Sequence, residues 1–422
     1  MIKNVCVLAA IAVGVSIFQG CTSSAPENKY HAYSRSVFIQ DEATEQAILA
    51  KAKVHTIDDE AVNNMRIVEM AGTPYEMGFQ HGRLLKEDVR ANLGRIYSRL
   101  HYFIDPVMLD EVYAMMEPYI PIEDKMEMLG LAHGADLPVR VVQRLHAVPE
   151  LSEYKHKKRF GKKRAMLATS CSNVAAFGSA TIDGEIYSMR ILDWVRELGT
   201  QKYATLLVYQ PDVGNNYVSF SYAGFTGCIT GMNDQGITFG EMGYGNRPEE
   251  TLEGIPFVFL FKKLMREADT LEEAIEITRN APRTCSYAYL FADAKINDAR
   301  LIISNRDEFF AFGPNETLKD DESFFPAIPN VVYGGAKDEI LHQELVKVQG
   351  AIDVEKLQAL ADPASLTSNM QIVIMRPKSL EAWVANAQDS SLLDARSEEG
   401  RACNQPYYYI DLEPMLTGGT EG

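Results

Sequence analysis

The sequence predicts an α+β protein, with sheet layers covered by helices and a mainly helical segment ahead of them. Three observations carry this reading. Across residues 41–151 apolar positions recur at intervals of three and four, as in 75–100 and 107–129, without strand alternation. A basic run at 155–164 then interrupts an otherwise acidic chain; such a run stays solvated and reads as an exposed linker open to proteolysis. From Cys171 onward the pattern changes to short apolar-rich runs bounded by turn residues.

Taken in order, strands are expected at 171–178, 185–192, 204–209, 217–222 and 236–242, with turns at Asp183-Gly184 and Asn233-Asp234-Gln235-Gly236. Two helices follow at 257–268 and 271–280, the second opened by an Asp269-Thr270 cap. Strands return at 286–292 and 299–304, then a helix at 337–349, then strands at 370–375 and 382–387. Strands, adjacent helices and strands again fit an αββα layering, because each sheet must bury one face on its partner and the other under helices.

The 422 residues suffice for one large body or for two to three domain-sized units. Hydrophobic residues at 46% and charged residues at 23% are ordinary for a globular protein. Forty-one Lys and Arg against 58 Asp and Glu leave a net charge of -17, which repels phosphate backbones, so nucleic acid is not an expected partner.

Residues 1–20 read as a secretion signal: Lys3 precedes an apolar run at 5–18 that is too short for a permanent spanning helix. The segment ends in Ile17-Phe18-Gln19-Gly20-Cys21, which resembles the lipobox of bacterial lipoproteins, with Phe18 where Leu is usual. That resemblance implies cleavage before Cys21, lipidation of its thiol, and a body tethered by residues 21–40 to the bacterial cell envelope. Thr22 instead of Asp points to the outer membrane. There Cys171, Cys228, Cys285 and Cys403 meet an oxidising compartment, which leaves a disulfide among the last three open.

The eight histidines show no HxH or HExxH spacing, and the chain has no CxxC pair, phosphate-binding loop or GxSxG elbow. No metal or organic cofactor is implied. Chemistry instead centres on Cys171, in Ala168-Thr169-Ser170-Cys171-Ser172-Asn173 at the start of the strand-rich half. A cysteine nucleophile needs a base, or surroundings that favour the thiolate. His342 is the one histidine downstream and its spacing suits a helix surface, so a papain-like trio of Cys171, His342 and Asn369 is the alternative that depends on it. Cleavage of the Ser170-Cys171 bond would supply a different base, since a free α-amine titrates at about 7.7–8.0 and can exchange a proton near neutrality.

Cys171-Ser172-Asn173, the hairpin at Thr181-Ile182-Asp183-Gly184, and Met189-Arg190-Ile191-Leu192-Asp193-Trp194 together resemble a pattern of N-terminal-nucleophile (Ntn) hydrolases: Cys, Gly, then Arg-Asn-hydrophobic-Asp-aromatic. The branch resembled is the acyl-CoA:6-aminopenicillanate acyltransferase family, related to acid ceramidase, acylethanolamide amidase and the penicillin V and bile-salt acylases. Gly72-Thr73-Pro74-Tyr75-Glu76-Met77-Gly78-Phe79-Gln80-His81-Gly82, Gly224-Phe225-Thr226-Gly227, Gly231-Met232-Asn233 and Trp383-Val384-Ala385-Asn386 extend the likeness over 65–416.

This resemblance implies a four-layer αββα Ntn-hydrolase sandwich at 171–422, preceded by a helical prosegment with basic linker at 41–170. It implies Cys171 as the nucleophile freed by self-cleavage after Ser170, Arg190 favouring its thiolate, and Asp193 holding the α-ammonium. Asn330 takes the oxyanion-donor role, with backbone N–H groups near Met242 and Gly243 as the second donor. Three positions depart from the family pattern: Ile191 stands where Asn is usual, Ser170 where Gly is common, and no Arg soon follows Asn330, which makes Asn369 a competitor. Tyr75, Glu76, His81 and Gly82 are expected to shape a helix, Trp194 and Trp383 to sit in core or pocket wall, and Phe257, Phe259 and Phe261 to fill a helix core.

The function implied is an autoproteolytic cysteine hydrolase or acyltransferase that breaks the C–N bond of an N-acyl compound through a thioester. Hydrolysis is favoured because coenzyme A is scarce outside the cytoplasm. A non-catalytic envelope lipoprotein of the same fold is the other alternative.

Overall fold

A computed structural model of the chain describes residues 34–57, 65–102, 104–154, 171–244, 249–319, 324–388 and 397–418. The signal segment, Cys21, the basic linker and Ser170 lie outside the described residues. No described helix is long and apolar enough to cross a membrane.

The helices of eight residues or more are α1 (Glu42–Leu49), α2 (Pro74–Leu84), α3 (Lys86–Leu100), α4 (Pro106–Met116), α5 (Ile122–Gly134), α6 (Val139–Glu153), α7 (Phe257–Glu267), α8 (Leu271–Asn280), α9 (Asp338–Val348) and α10 (Val354–Ala364). Strands β1 (Lys53–Thr56) and β2 (Arg66–Gly72) precede the basic linker. After it come β3 (Ser172–Ala176), β4 (Tyr187–Asp193), β5 (Ala204–Pro211), β6 (Tyr217–Tyr222), β7 (Thr230–Asn233) and β8 (Ile237–Gly243). Then follow β9 (Tyr287–Asp293), β10 (Asp298–Ser304), β11 (Phe309–Phe312), the short β12 (Leu318–Lys319) and β13 (Phe324–Phe325), β14 (Val331–Gly335), β15 (Asn369–Arg376), β16 (Glu381–Asn386) and β17 (Tyr408–Asp411).

One sheet runs β1-β2-β5-β6-β7-β8-β9-β10-β11 and the other β14-β3-β4-β15-β16-β17. Both faces of each sheet are used. Between the sheets, and beneath α9 and α10, lies one apolar core containing Val174, Met242, Leu301, Ile372 and Leu357. The second core joins the helices of the N-terminal half, α7 and α8 to the outer face of the larger sheet, through Val89, Leu131, Val148, Phe239 and Phe261. The result is the four-layer αββα arrangement with helical N-terminal cover that the resemblance implies.

The N-terminal half is nevertheless more than helical. β2 pairs in parallel with β5, Ile67 opposite Leu206 and Val68 opposite Leu207, so it is an integral strand of the larger sheet. Its Arg-Ile-Val-Glu-Met-Ala-Gly run lacks clean alternation because both of its faces are covered. The expected absence of strands there is corrected by this pairing. β7, β14 and α10 are likewise elements that periodicity alone did not reveal.

The motif at 72–82 is a device for packing. Gly72 turns the chain at φ +116°, Thr73 and Glu76 form a reciprocal capping box, and Pro74 occupies the first turn of α2. Gly78 and Gly82 then let α2 lie directly on α5, where Gly130 and Gly134 answer them. A Cβ added at Gly78 would stand 2.1 Å from the Glu127 carbonyl oxygen, and one at Gly130 would stand 2.1 Å from that of Tyr75. Gly78→Ala is therefore expected to destabilise the protein by about 2 kcal/mol despite alanine's better helix propensity, because backbone must move. Urea unfolding reads this; an unchanged midpoint would refute so close an approach.

Buried polar and charged side chains also tie the two halves together. Glu150 of α6 accepts from the Phe257 N–H that opens α7 (2.6 Å), from the Thr284 hydroxyl (2.9 Å) and from the Tyr287 hydroxyl (3.0 Å). Glu127 of α5 pairs with the buried Lys262 of α7 and accepts from the Tyr209 hydroxyl at 3.0 Å. Cys171, Cys228, Cys285 and Cys403 are all free thiols, so no disulfide joins the described cysteines.

Candidate active site

Cys171 immediately precedes β3, an inner strand of the smaller sheet. In the β3–β4 register Ser172 lies opposite Ile191 and Asn173 opposite Arg190, so one further step sets Cys171 across from Leu192 and next to Asp193. Arg190 points from mid-β4 towards β8 of the other sheet. That is permitted by Gly240, where an added Cβ would stand 3.1 Å from Arg190 Cγ and 2.1 Å from Asn173 Oδ1.

The guanidinium binds three groups. Arg190 Nη2 donates to Cys171 Sγ at 3.3 Å and to Glu241 Oε2 at 3.1 Å, while Nε donates to the Glu241 carbonyl oxygen at 3.2 Å. All three residues are almost completely buried. A buried guanidinium needs a carboxylate partner to offset its lost hydration, and Glu241 is that partner. Sequence reasoning passed over Glu241. A signal was present, since it is the lone charge in the otherwise uncharged Ile-Thr-Phe-Gly-Glu-Met-Gly of β8.

Burial governs the protonation states. It pushes the Cys171 thiol up to about 12 against the attraction of Arg190, with Glu241 and Asp193 adding to the rise. The same desolvation carries Glu241 up to about 8 and Asp193 up to about 7. Asp193 Oδ1 accepts from the Leu366 N–H at 3.2 Å, whereas its buried Oδ2 has no hydrogen-bond partner among the described residues.

Cys171, Arg190 and Asp193 are thus brought together, but Asn330 is not. It occupies a left-handed turn (φ +57°) ahead of β14, and its Nδ2 donates to Ser179 Oγ at 2.8 Å. Because β14 runs antiparallel to β3, Val331 lies opposite Ala176 and only Gly335 reaches Ser172. Five residues of strand therefore separate Asn330 from the cysteine end, roughly 16 Å at the usual rise. This corrects the oxyanion assignment to Asn330: at the near end the chain carries Gly334, Gly335 and Ala336, none with a side-chain donor. Met242 and Gly243 are ladder residues opposite Ala288 and Tyr287.

Asn369 is placed where Asn330 is not. It is fully buried opposite Asp193, at a register shift in β15, with Nδ2 donating to the Leu192 carbonyl (3.3 Å) and Oδ1 accepting from the Cys403 N–H (2.8 Å). His342 shares a 2.7 Å hydrogen bond with the Tyr333 hydroxyl. Tyr333 alternates with Gly334, which faces Met242 of the larger sheet, so His342 lies on the opposite side of the smaller sheet from Arg190. That placement removes the papain-like trio.

Above Arg190 and Glu241 opens a mostly apolar cavity with about 650 Å³ of empty space, part of it continuous with solvent. Leu192, Trp194, Tyr222, Phe225, Ile229 and Phe257 line it from the strand-rich half. Ile96 of α3 and Leu145 and Val148 of α6 close it from the N-terminal half. Trp194 is pocket wall as expected, whereas Trp383 packs on Tyr409 with ring centroids 5.3 Å apart. Tyr75 bonds His133 across the α2–α5 contact at 2.8 Å.

Burial has a consequence for stability. It also pushes the carboxyls of Asp124 and Glu150 up to about 7, so these two and Asp193 keep protons in the folded chain up to about pH 7 that the unfolded chain releases near pH 4. His81 and His146, pushed down to about 3, act oppositely, mainly below the ordinary imidazole value near 6.5. Between pH 6.5 and 8 the carboxyls outweigh what remains of that contribution, and stability falls as pH rises. Calorimetry is expected to give a lower Tm at pH 8 than at pH 6.5; an equal or higher Tm would contradict this set of protonated carboxyls.

Two sheets between helices, with a cysteine heading an inner strand beside a buried Arg–Glu pair, define the class: a two-sheet αββα protein with a buried thiol one hydrogen bond behind an arginine that lines an apolar cavity. The family model described as acyl-coenzyme A:6-aminopenicillanic acid acyl-transferase matches residues 192–312, a span that includes Asp193 and Glu241, begins just after Arg190 and leaves Cys171 outside. Among curated proteins the chain is similar to protein dcd1B of Dictyostelium discoideum, at 27% identity over 306 residues, 66% of this chain and 57% of that one. Protein dcd1A of the same organism is 24% identical over 335 residues, 70% of this chain and 73% of its own length. The match therefore spans under two thirds of the first relative. Of solved structures, the N-acylethanolamine-hydrolyzing acid amidase ortholog of Caenorhabditis elegans aligns over 57% of this chain and all of its own, at 14% identity and a TM-score of 0.42.

Proposed function

We propose that the chain is a self-processing cysteine amidase of the Ntn type, hydrolysing N-acyl compounds with an apolar acyl group. The observation that carries this reading is the position of the Cys171 sulfur, 3.3 Å from the Arg190 guanidinium at the base of an apolar cavity. While Cys171 is bonded through its nitrogen, burial holds the thiol protonated and no histidine among the described residues is its partner, so the unbroken chain is latent. In self-processing the sulfur attacks the Ser170 carbonyl carbon, the C–N bond breaks and the α-amine is released; water then hydrolyses the resulting ester of sulfur. The freed amine and the thiol share one residue, with Asp193 at hand to hold the ammonium form.

In turnover Cys171 Sγ adds to the acyl carbon while its proton passes to the α-amine and from there to the leaving nitrogen as the C–N bond breaks. Water attacks the thioester, gives its proton to the same amine, and the acid departs with the thiol restored. Arg190 stabilises sulfur as an anion, Glu241 fixes the guanidinium, and Asn369, opposite Asp193, is proposed as the side-chain donor to the oxyanion. We further propose that Cys21 carries a lipid that ties the protein to the bacterial envelope. Intact mass and N-terminal sequencing of protein expressed with its signal read both points. A new N-terminus at Cys171 and a diacylglyceryl mass on Cys21 are expected, followed by release of acid from medium-chain N-acyl amides. One unprocessed chain that hydrolyses none of them would favour the non-catalytic alternative.

A further inference from the structure

We propose that His81 and His146 of the N-terminal half, together with Asn92 and Lys262, are positioning residues that clamp the turn at 223–226 as the wall against which a long acyl chain packs. The inference rests on the cavity being the acyl site. The turn joins β6 to β7 and carries Phe225 into the cavity wall, with Ile229 shortly after it. A wall built on a turn is only as exact as the turn's anchors, and here four backbone groups are held by side chains from elsewhere. Asn92 Nδ2 donates to the Ala223 carbonyl at 2.7 Å, and the Gly224 N–H donates to His81 Nε2 at 3.0 Å. The Thr226 N–H donates to His146 Nε2 at 3.0 Å, and Lys262 Nζ donates to the Thr226 carbonyl at 2.8 Å.

The chemistry of the anchors is specific. His146 Nδ1 bonds the Val142 carbonyl at 2.8 Å, which places the ring proton on Nδ1 and leaves Nε2 as a pure acceptor for Thr226. Its ring is stacked on Phe225, centroids 4.7 Å apart and planes 10° from parallel, with Phe259 on the far side at 5.2 Å. Gly224 has φ +91°, and a Cβ there would stand 2.3 Å from Leu93 Cδ1, so the turn lies directly against α3. Both histidines are fully buried, and desolvation keeps them neutral acceptors.

Arg190, Leu192, Tyr222 and Glu241 sit on strands, which hold the cavity's reactive end without the turn. A short acyl group needs only that end, whereas a long one must also pack on Phe225. The N-terminal half thereby sets acyl-length preference, through two imidazoles that never touch substrate.

The test uses the full chain with Cys171→Ala, and N-dodecanoyl and N-butanoyl 7-amino-4-methylcoumarin as probes, with binding read by fluorescence and turnover read in parallel on the unmodified cysteine. His146→Leu is expected to weaken dodecanoyl binding about tenfold more than butanoyl binding. His146→Gln, whose Oε1 reaches the Thr226 N–H, is expected to restore most of the loss, and His81→Leu and His81→Gln to behave in the same way. Phe225→Ala, which leaves the clamp in place, is expected to reproduce the selective loss. Equal losses for both probes, no loss, or failure of the glutamine variants to restore binding while circular dichroism stays native would each overturn the clamp. Absence of coumarin release by the unmodified chain, with the chain-length effect on binding intact, would overturn the amidase reading and leave the clamp standing.

Discussion

Replacing Cys171 by alanine is expected to leave the chain in one piece and without amidase activity, while the fold persists. In the proposed mechanism one sulfur both attacks the Ser170 carbonyl and forms the thioester, so one substitution removes processing and turnover together. Loss on the order of 10⁴-fold or more in kcat/KM is the scale seen when a nucleophile is deleted. Little structural cost follows, because alanine fits the space of a buried cysteine and leaves the Arg190–Glu241 pair at 3.1 Å intact. Intact mass, hydrolysis of a dodecanoyl amide and Tm form one experiment. A Cys171→Ala chain that still divides after Ser170, or still releases acid, would show that the chemistry lies elsewhere. Cys171→Ser is the informative companion: its hydroxyl can attack the same carbonyl but is a poorer nucleophile, so slow processing is expected.

Arg190→Lys is the second large effect. Lysine keeps the charge, but its single ammonium cannot reproduce the fork by which Arg190 meets the sulfur, the Glu241 carboxylate and the Glu241 carbonyl at 3.1–3.3 Å. About a 10²–10³-fold fall in kcat/KM is expected, comparable to losing one preorganised donor from a reacting anion. The pH profile separates electrostatics from packing. If Arg190 lowers the energy of the thiolate, the ascending limb assigned to sulfur moves to higher pH in the lysine variant. If the variant loses activity by disorder alone, the limb stays in place and Tm falls. Glu241→Gln provides the control, since it keeps a hydrogen-bond acceptor for Arg190 but removes the carboxylate that titrates near 8.

Part of this site was legible in one dimension. Cys171, Arg190 and Asp193 stand close in sequence, on either side of one hairpin, and strand pairing alone is enough to bring them together. The αββα layering was legible for the same reason, because most strands show turn-bounded runs and α7 and α8 show helical spacing. Elements buried on both faces were less readable: β2 and β14 have no polar face, so alternation had nothing to mark. Asn330 against Asn369 could not be decided from spacing, since the choice depends on which end of β14 lies beside Ser172 and which residue of β15 lies opposite Asp193.

Composition, local periodicity and the short-range grouping of a cysteine, an arginine and an aspartate are properties of the chain itself, and they determined the class of fold and which side chains strand pairing brings together around Cys171. Glu241 beside Arg190, the cavity shared by the two halves, and the histidines of α2 and α6 on the turn at 223–226 were decided only by tertiary structure. Each joins residues separated by 51 to 143 positions, with His146 and Thr226 80 apart and His81 and Gly224 143 apart. Over such separations local pattern carries no information, and what selects the partner is the requirement that every buried charge and backbone donor find an acceptor once the sheets have closed.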